Sequence, residues 1–290
     1  MTEPHEAVPP PVVDAHHHLW NLEVRDQPWT AGLPSLRRTF GMAELLPQLA
    51  AAGVDRTVLV QTVDVAEETP ELLSLAASCP VVAGVVGWTD LTAVGVGDRL
   101  ADLRAAPGGE WLVGVRHGVQ SEADPRWLQR TEVIRGLRAV AAAGLVYDLL
   151  VTATQLPAVI DTVHALPEVR FVLDHGGKPP IASGELDPWR SHVDALADAP
   201  NVAVKLSGLF TEAAGGSPAG DVRPFAEHLL SCFGADRTMF GSDWPVSTLR
   251  AGYADVVAAT RELVCAATSA EQGSVFGATA VRWYGLDARC

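Results

Sequence analysis

Short apolar runs recur along the chain, and each is followed by a longer segment in which apolar positions return at helical spacing. The runs are apolar at consecutive rather than alternate positions, which is typical of parallel strands covered on both faces. Eight such runs are present: Val12–Ala15, Thr57–Gln61, Val81–Trp88, Leu112–Arg116, Leu145–Val151, Phe171–Asp174, Val202–Leu206 and Thr238–Gly241. Alternating strands and helices predict a parallel sheet, and eight repeated units favour its closure into a barrel.

Local signals agree with this pattern. One predicted helix begins at Asp124 and Pro125, an N-cap residue followed by proline at the first helical position, and ends at Gly144. The segments LAAAGVDRTVLV and VAAAGLVYDLL repeat the order helix end, glycine, strand. No GxGxxG motif follows the first strand, which argues against an open dinucleotide-binding sheet. We therefore predict the α/β class, with a single (β/α)8 TIM barrel over residues 12–290 and a disordered tail over residues 1–11.

Two connections are longer than the others, residues 21–40 after the first strand and residues 210–220 after the seventh. Both leave the carboxyl ends of strands, where barrel enzymes build their active sites, and long loops in compact domains are often functional. We expect Trp29, in the first of them, to form part of a lid.

Polar and titratable residues gather at the ends of the predicted strands. They are His16 and His18, Arg116 and His117, Tyr147 and Asp148, Asp174 and His175, Lys205 and Ser207, and Ser242 and Asp243. Packing of a hydrophobic core does not require this arrangement. It is expected of a barrel that binds a substrate and catalyses its reaction at one rim. The sequence therefore predicts an active site at that rim.

His16 and His18 are two residues apart, so on a strand their side chains point to the same side. With His175 and Asp243 they offer three imidazoles and one carboxylate, which suit Zn²⁺ or a similar divalent ion. They equally suit a metal-free site in which the histidines polarise a carbonyl group. An HxH pair alone is a weak signal, and exposure of these histidines on a loop is the alternative.

The other rim residues also allow two interpretations. Arg116 is either catalytic or a surface ion-pair residue, and His117 faces away from it on a regular strand. Of the next pair, we expect Tyr147 rather than Asp148 to face the site. A lysine in the apolar strand VAVKLSG is unfavourable unless it reaches a polar mouth or a partner, so we expect Lys205 to contact substrate.

Charge and composition limit the classes of molecule that the protein is expected to bind. A net charge of −14 without a basic cluster argues against nucleic acid and anionic membranes and leaves a small-molecule substrate. No apolar run reaches the ~18 residues of a membrane span, and MTEPHEAVPPP lacks the apolar region of a signal peptide. Four scattered cysteines indicate reduced thiols in a cytoplasmic protein. A homo-oligomer is compatible with the sequence.

The ordered motifs VVDAHHHLW, VLVQ, GVVGWTDL, GVRH, LVYDLLV, FVLDHGGKP, VAVKLSGL and MFGSDWPV resemble the amidohydrolase-related family. The similarity is to its lactonase branch, which contains 2-pyrone-4,6-dicarboxylate lactonase and the L-fuconolactone and L-rhamnonolactone hydrolases. It extends from about residue 12 to the VFGATAVRWYGL segment. The resemblance implies a (β/α)8 barrel and lactone hydrolysis. By motif, His16 and His18 match the first-strand histidines, His175 the sixth-strand histidine and Asp243 the eighth-strand aspartate.

The sequence departs from the wider superfamily at two strands. Arg116 stands where a metal-bridging lysine or glutamate is often found, and Tyr147 and Asp148 replace a metal-binding histidine. We therefore expect at most one divalent metal ion, with Zn²⁺ the best match, and metal-free catalysis stays an alternative. A dicarboxylate substrate needs several cations to bind its two carboxylates, and near the rim the sequence offers Arg116 and Lys205 with few other candidates. This favours a neutral sugar lactone.

The predicted activity is hydrolysis of a sugar-acid lactone. Asp243 acts as the general base, the histidine cluster polarises the carbonyl with or without a metal, and Arg116 assists. Neutral hydrogen-bonding and aromatic groups that suit a sugar ring include Gln61, Tyr147, Trp29 and Trp88. The alternatives are a metal-dependent decarboxylase, a hydrolase of another ester or amide, and a non-catalytic binding barrel.

Overall fold

The computed structural model describes residues 10–213 and 218–286, in which eight parallel strands pair in chain order. The strands are β1 (Val13–His17), β2 (Arg56–Val60), β3 (Val82–Gly87), β4 (Leu112–His117), β5 (Val146–Leu149), β6 (Arg170–Leu173), β7 (Val202–Leu206) and β8 (Thr238–Phe240). The Asp243 amide donates to His16 O at 2.8 Å and the His18 amide to Trp244 O at 2.7 Å, so the segment after β8 closes onto β1. The predicted (β/α)8 barrel is confirmed.

Helices follow the strands and form the outer layer. They are α1 (Met42–Ala52), α2 (Glu68–Ser78), α3 (Val96–Ala105), α4 (Thr131–Ala142), α5 (Leu156–Ala165), α6 (Trp189–Ala197), α7 (Pro218–Phe233), α8 (Tyr253–Leu263), α9 (Ser269–Gly273) and α10 (Thr279–Tyr284). A π-helical turn (Ser274–Ala278) joins the last two. Among the described helices, none has the length and apolar character needed to cross a membrane.

The predicted helix start at Asp124 is wrong. The Asp124 carboxylate accepts hydrogen bonds from the Arg126 amide and from Arg130 Nε, both at 3.0 Å, and so stabilises a turn ahead of α4. Aspartate serves such turns as readily as it caps helices, because its short side chain can reach the following amides in both. Gly144, in the left-handed region at φ 70°, does lie just after the helix end, as predicted.

Two apolar layers hold the barrel together. The larger one lies between the strands and the helices. The smaller fills the barrel interior, where every strand contributes a residue, and α10 closes the amino-terminal end with Val281 and Tyr284. This plug supports the strands from below and leaves their carboxyl ends free to form a site.

The first predicted long connection, residues 21–40, occurs at those carboxyl ends, whereas the second is described only at residues 210–213 and its last three residues belong to α7. Residues 21–40 contain two one-turn 3₁₀ helices and are tied back by paired backbone hydrogen bonds between Trp20 and Phe40. Within residues 210–220, residues 214–217 lie outside the described part of the chain, as do residues 1–9 of the predicted tail. The predicted domain limits therefore stay predictions.

Candidate active site

Three of the predicted residues converge at the carboxyl end of the barrel. His16 Nε2 lies 3.1 Å from His18 Nε2, and Asp243 Oδ1 lies 3.8 Å from the former and 3.5 Å from the latter. All three side chains are buried. His16 in β1 and His18 just after it therefore bring both imidazoles to one point, beside a carboxylate from the turn after β8.

His175 joins this group from the end of β6. Its ring centroid is 4.5 Å from that of His16, and its Nδ1 lies 2.8 Å from Ser207 Oγ. Within the described residues, the ligand atoms of His16, His18 and Asp243 form one compact group, whereas His175 forms another with His16 and Asp174. The four predicted metal ligands are thus neighbours, but three of them share the tightest arrangement.

The backbone at this site is held in an unusual conformation. His175 and Asp243 both have a φ of 55°, in the left-handed region that non-glycine residues seldom adopt. Gly208, with a φ of 62°, passes so close that a Cβ atom there would collide with the His175 ring. Surrounding contacts must hold these turns in place, as is common where side chains are aimed for function.

The hydrogen-bond partners of the two rings bear on where their protons lie. His18 Nδ1 lies 2.8 Å from Val60 O, a pure acceptor, which favours a proton on Nδ1 and leaves the lone pair of Nε2 free. His16 has a donor at each ring nitrogen, Lys205 Nζ at 3.1 Å from Nδ1 and Arg116 Nη1 at 3.4 Å from Nε2, so either nitrogen can carry its proton. Two imidazole nitrogens 3.1 Å apart beside a carboxylate are placed to bind one cation.

The spacing of these three atoms fits a divalent metal ion. Tetrahedral Zn²⁺ with ligands at ~2.0–2.1 Å holds two nitrogens about 3.3 Å apart. The distances of 3.1, 3.5 and 3.8 Å bracket that value. His16, His18 and Asp243 would therefore hold such an ion.

Burial sets the protonation of these groups. It lowers the pKa of His16 well below its ordinary range and that of His175 to about 4, so both rings are neutral at neutral pH. For Asp243, burial raises the pKa, but the neighbouring His175, His18 and Lys178 together lower it by more, and the net pKa is lowered. An ionised carboxylate beside neutral imidazoles can accept a proton or bind a cation.

A buried ionic cluster, consisting of Arg116, Asp148, Asp174 and Lys205, lies beneath the histidines. Asp174 Oδ2 accepts from Arg116 Nη1 at 3.0 Å, while Lys205 Nζ lies 2.9 Å from Asp174 Oδ1 and 2.6 Å from Asp148 Oδ2. Two cations thus balance two carboxylates. Tyr284 on α10 donates its hydroxyl hydrogen to Asp148 from below, at 2.8 Å from Oδ2.

This cluster corrects two predictions. Asp148, not Tyr147, faces into the barrel: β4 and β5 pair Arg116 with Asp148 and Val115 with Tyr147, and the phenol ring packs edge-on against Phe171 on the helix side. Lys205 is fully buried and its ammonium contacts Asp148, Asp174 and His16, so it does not line the substrate cavity. Its partners, rather than a polar mouth, compensate for burial of the charge.

A cavity of about 340 Å³ opens above the histidines. Of the predicted residues, its lining includes His18, Gln61, Arg116, His175, Asp243 and Trp29. Trp29 comes from the first long connection and is 40% exposed, and its role in a lid stays a prediction. Trp88 does not line this cavity; its indole N–H donates to His117 Nδ1 at 3.1 Å.

Several residues of the site were missed. Asp64, Lys178 and Glu212 line the cavity, and Lys178 and Glu212 form an ion pair at 3.6 Å. Lys178 lies in the FVLDHGGKP motif, three residues after His175. This position in the motif could have identified it as a residue of the site. Asp64 and Glu212 come from loops without a comparable signal.

Asp14, at the other side of the site, was also missed as a functional support. Its Oδ1 accepts from the amides of Ser242 at 2.8 Å and His16 at 3.1 Å, and its Oδ2 from the Tyr253 hydroxyl at 3.0 Å. One buried carboxylate thus fixes β1 against the turn that carries Asp243. Its place in VVDAHHHLW, two residues before His16, was the available signal.

Comparisons with known proteins agree with this geometry. The profile of a protein family described as Amidohydrolase matches residues 13–286. A Burkholderia ambifaria protein named L-fucono-1,5-lactonase is 38% identical over 95% of this chain and 96% of its own length, and one of the same name from Burkholderia multivorans is 38% identical over 94% and 96%. A crystal structure of an amidohydrolase from Burkholderia multivorans with bound zinc superposes with a TM-score of 0.88, at 35% identity, covering 95% of this chain and 99% of the other.

The chain's two lysines test the buried ionic cluster. Replacing Lys205 by Met leaves Asp148 and Asp174 short of a counter-ion in the barrel interior, and we expect the free energy of unfolding to fall by at least ~3 kcal/mol. Lys178→Met removes only a partly exposed ion pair with Glu212 and should cost less than about 1 kcal/mol. Urea denaturation of both variants measures the difference. Equal, small losses would show that the cluster does not stabilise the fold.

Proposed function

The chain belongs to the amidohydrolase family, and we propose that it opens the ring of a sugar-acid lactone by hydrolysis. The observation that carries the proposal is the convergence of His16, His18 and Asp243, of which His18 and Asp243 line the cavity. Two relatives named L-fucono-1,5-lactonase, each 38% identical over nearly the full chain, support it. A metal-binding or polarising centre beside an ionised carboxylate is the machinery that acyl hydrolysis needs.

Asp243 acts as the general base. Its carboxylate accepts a proton from a water molecule as the water oxygen forms a bond to the lactone carbonyl carbon. The ring C–O bond then breaks, and Asp243 returns the proton to the departing ring oxygen, so that the product is a hydroxy acid. The lowered pKa of Asp243 keeps it ionised and ready for the first step.

The remaining groups stabilise charge on the carbonyl oxygen. A divalent ion held by His16, His18 and Asp243 would act as a Lewis acid toward it. Arg116, on the cavity wall and held by Asp174, offers a fixed guanidinium to the developing oxyanion. His175, also on the wall and bonded to Ser207, orients the carbonyl.

The cavity chemistry favours a neutral ring over a dicarboxylate. Among the described residues that line it, both cations already have partners: Arg116 pairs with Asp174 and Lys178 with Glu212. A buried carboxylate of the substrate would therefore lack a free counter-charge. Neutral hydrogen-bonding groups and an aromatic face are available instead, from Gln61, Thr62, Gln120, Ser121, Thr211 and Trp29.

We also propose a cytoplasmic location. The three cysteines within the described residues, Cys79, Cys232 and Cys265, are free thiols. Free thiols persist in a reducing compartment.

Asp243→Asn keeps the shape of the side chain and removes its basicity. We expect kcat to fall by at least ~10²-fold, the scale on which a general base contributes. Steady-state lactone hydrolysis measures it, with folding checked by circular dichroism. Asp64→Asn is the matched control, because Asp64 lines the same cavity but bonds to Gln61 and the Gly118 amide, so KM should change more than kcat. Near-normal turnover in folded Asp243→Asn protein would refute the assignment.

The cavity site should hold at most one divalent ion, with Zn²⁺ the best match to two imidazoles and a carboxylate. Arg116 on β4 offers no bridging ligand for a second. Elemental analysis measures the metal content of wild-type and His18→Ala protein, both purified without chelator. The difference between them gives the number of ions whose binding depends on His18. A difference of two ions per chain would contradict the proposal. No difference, with full activity after chelation, would favour metal-free polarisation by the histidines.

The preferred substrate should be a five- or six-membered sugar-acid lactone. Steady-state kinetics on L-fuconolactone, L-rhamnonolactone, related aldonolactones and 2-pyrone-4,6-dicarboxylate would rank kcat/KM. We expect the pyrone dicarboxylate to rank last, because the cavity cations are already paired. If it ranked first, the substrate assignment would fail while lactone hydrolysis stood. Release of CO₂ rather than acid from a carboxylated substrate would indicate a decarboxylase.

A further inference from the structure

A cluster of metal-ligating side chains lies on the outer layer, between α6 and α7. Asp194 is on α6, and His228 and Cys232 are four residues apart on α7, so they occupy one face of that helix. Cys232 Sγ and His228 Nε2 each lie 3.1 Å from Asp194 Oδ1, and they are 3.4 Å from one another. Three different donor atoms from two helices therefore meet at one point.

The donor set and spacing suit a thiophilic divalent cation. Thiolate, imidazole and carboxylate are the three ligand types that proteins use for Zn²⁺. With ligands at ~2.0–2.3 Å, tetrahedral coordination separates the donor atoms by about 3.3–3.6 Å. The observed 3.1–3.4 Å requires only a slight opening of the cluster.

The surroundings hold the cluster while leaving one side open. The His228 side chain is 12% exposed and its ring packs at 64° against Trp189, which limits its rotation. The Asp194 side chain is 57% exposed, so water can supply a fourth ligand. Two features oppose cation binding. The positive charge of nearby Arg190 repels a cation. The Arg190 carbonyl, 3.3 Å from His228 Nε2, can accept the imidazole proton that this nitrogen must lose in order to bind a metal.

A nucleophilic role for the thiol is the rival use of a Cys, His and Asp group. The Cys232 thiol donates to Asp194 Oδ1 at 3.1 Å and lies 3.4 Å from His228 Nε2. The group lies on the helical layer, and none of its three residues lines the barrel-mouth cavity, where a nucleophile would meet a substrate. The geometry therefore favours metal ligation over nucleophilic catalysis.

We propose that Asp194, His228 and Cys232 form a second metal site, for Zn²⁺ or a similar thiophilic divalent cation, which links α6 to α7. The site is independent of the proposed lactonase activity. It differs chemically from the cavity site, whose described lining residues include no cysteine.

A probe that detects thiolate ligands distinguishes this site from the described lining of the cavity, which offers none. Chelator-stripped full-length protein is titrated with Cd²⁺, and the thiolate-to-cadmium charge-transfer absorbance is recorded as a difference spectrum. We expect a saturable band in the wild type that added Zn²⁺ displaces. Cys232→Ser should abolish it, whereas Cys265→Ser, a matched change of an exposed cysteine, should leave it intact.

The other two ligands are tested separately. His228→Gln and Asp194→Asn should each weaken Cd²⁺ binding by at least ~10-fold, the lower end of what even supporting contacts of a metal contribute. Circular dichroism confirms that each variant is folded. Absence of the band in the wild type, its persistence in Cys232→Ser, or unchanged affinity in both His228→Gln and Asp194→Asn would overturn the proposal. None of these readouts uses catalysis, so failure of the lactonase assignment would not affect them.

Discussion

The carboxylate of Asp174, fully buried beneath the histidines, is the group on which the rest of the site depends. It meets Arg116 of β4 at 3.0 Å, Lys205 of β7 at 2.9 Å and His16 of β1 at 3.3 Å. A charge left unpaired in such an interior costs several kcal/mol, so these strands must keep their register for every charge to be compensated. The electrostatics of one residue thereby fix the positions of several strand ends.

The same pairing determines what the cavity offers a ligand. Arg116 and Lys205 both neutralise buried carboxylates, and only Arg116 also reaches the cavity wall. Asp174 and Lys205 contact His16 Nδ1 at 3.3 and 3.1 Å, and His16 Nε2 lies 3.1 Å from His18 Nε2. The two cations on the described cavity wall are thus already paired with carboxylates, while the imidazole nitrogens and Asp243 together can bind a cation.

The orientation of His175 and Asp243 depends on a strained backbone and on the contacts that support it. His175 and Asp243 hold left-handed conformations that cost free energy. Asp14 ties the turn before Asp243 to β1 and to Tyr253, and Gly208 alone lets the chain pass the His175 ring. The site is therefore organised before a substrate arrives, as electrostatic stabilisation of a transition state demands.

The sequence by itself determined the eight strands, the barrel and the placement of His16, His18, His175 and Asp243 at one rim, because side-chain periodicity and strand ends are local properties. It could not orient Tyr147 and Asp148, since both lie within a short strand that is buried on both faces. Nor could it show that Lys205 pairs inside the barrel, because its contact with His16 joins residues 189 positions apart. Only the tertiary structure brings such distant charges together, and their mutual compensation, rather than any local pattern, decides which of them face the substrate.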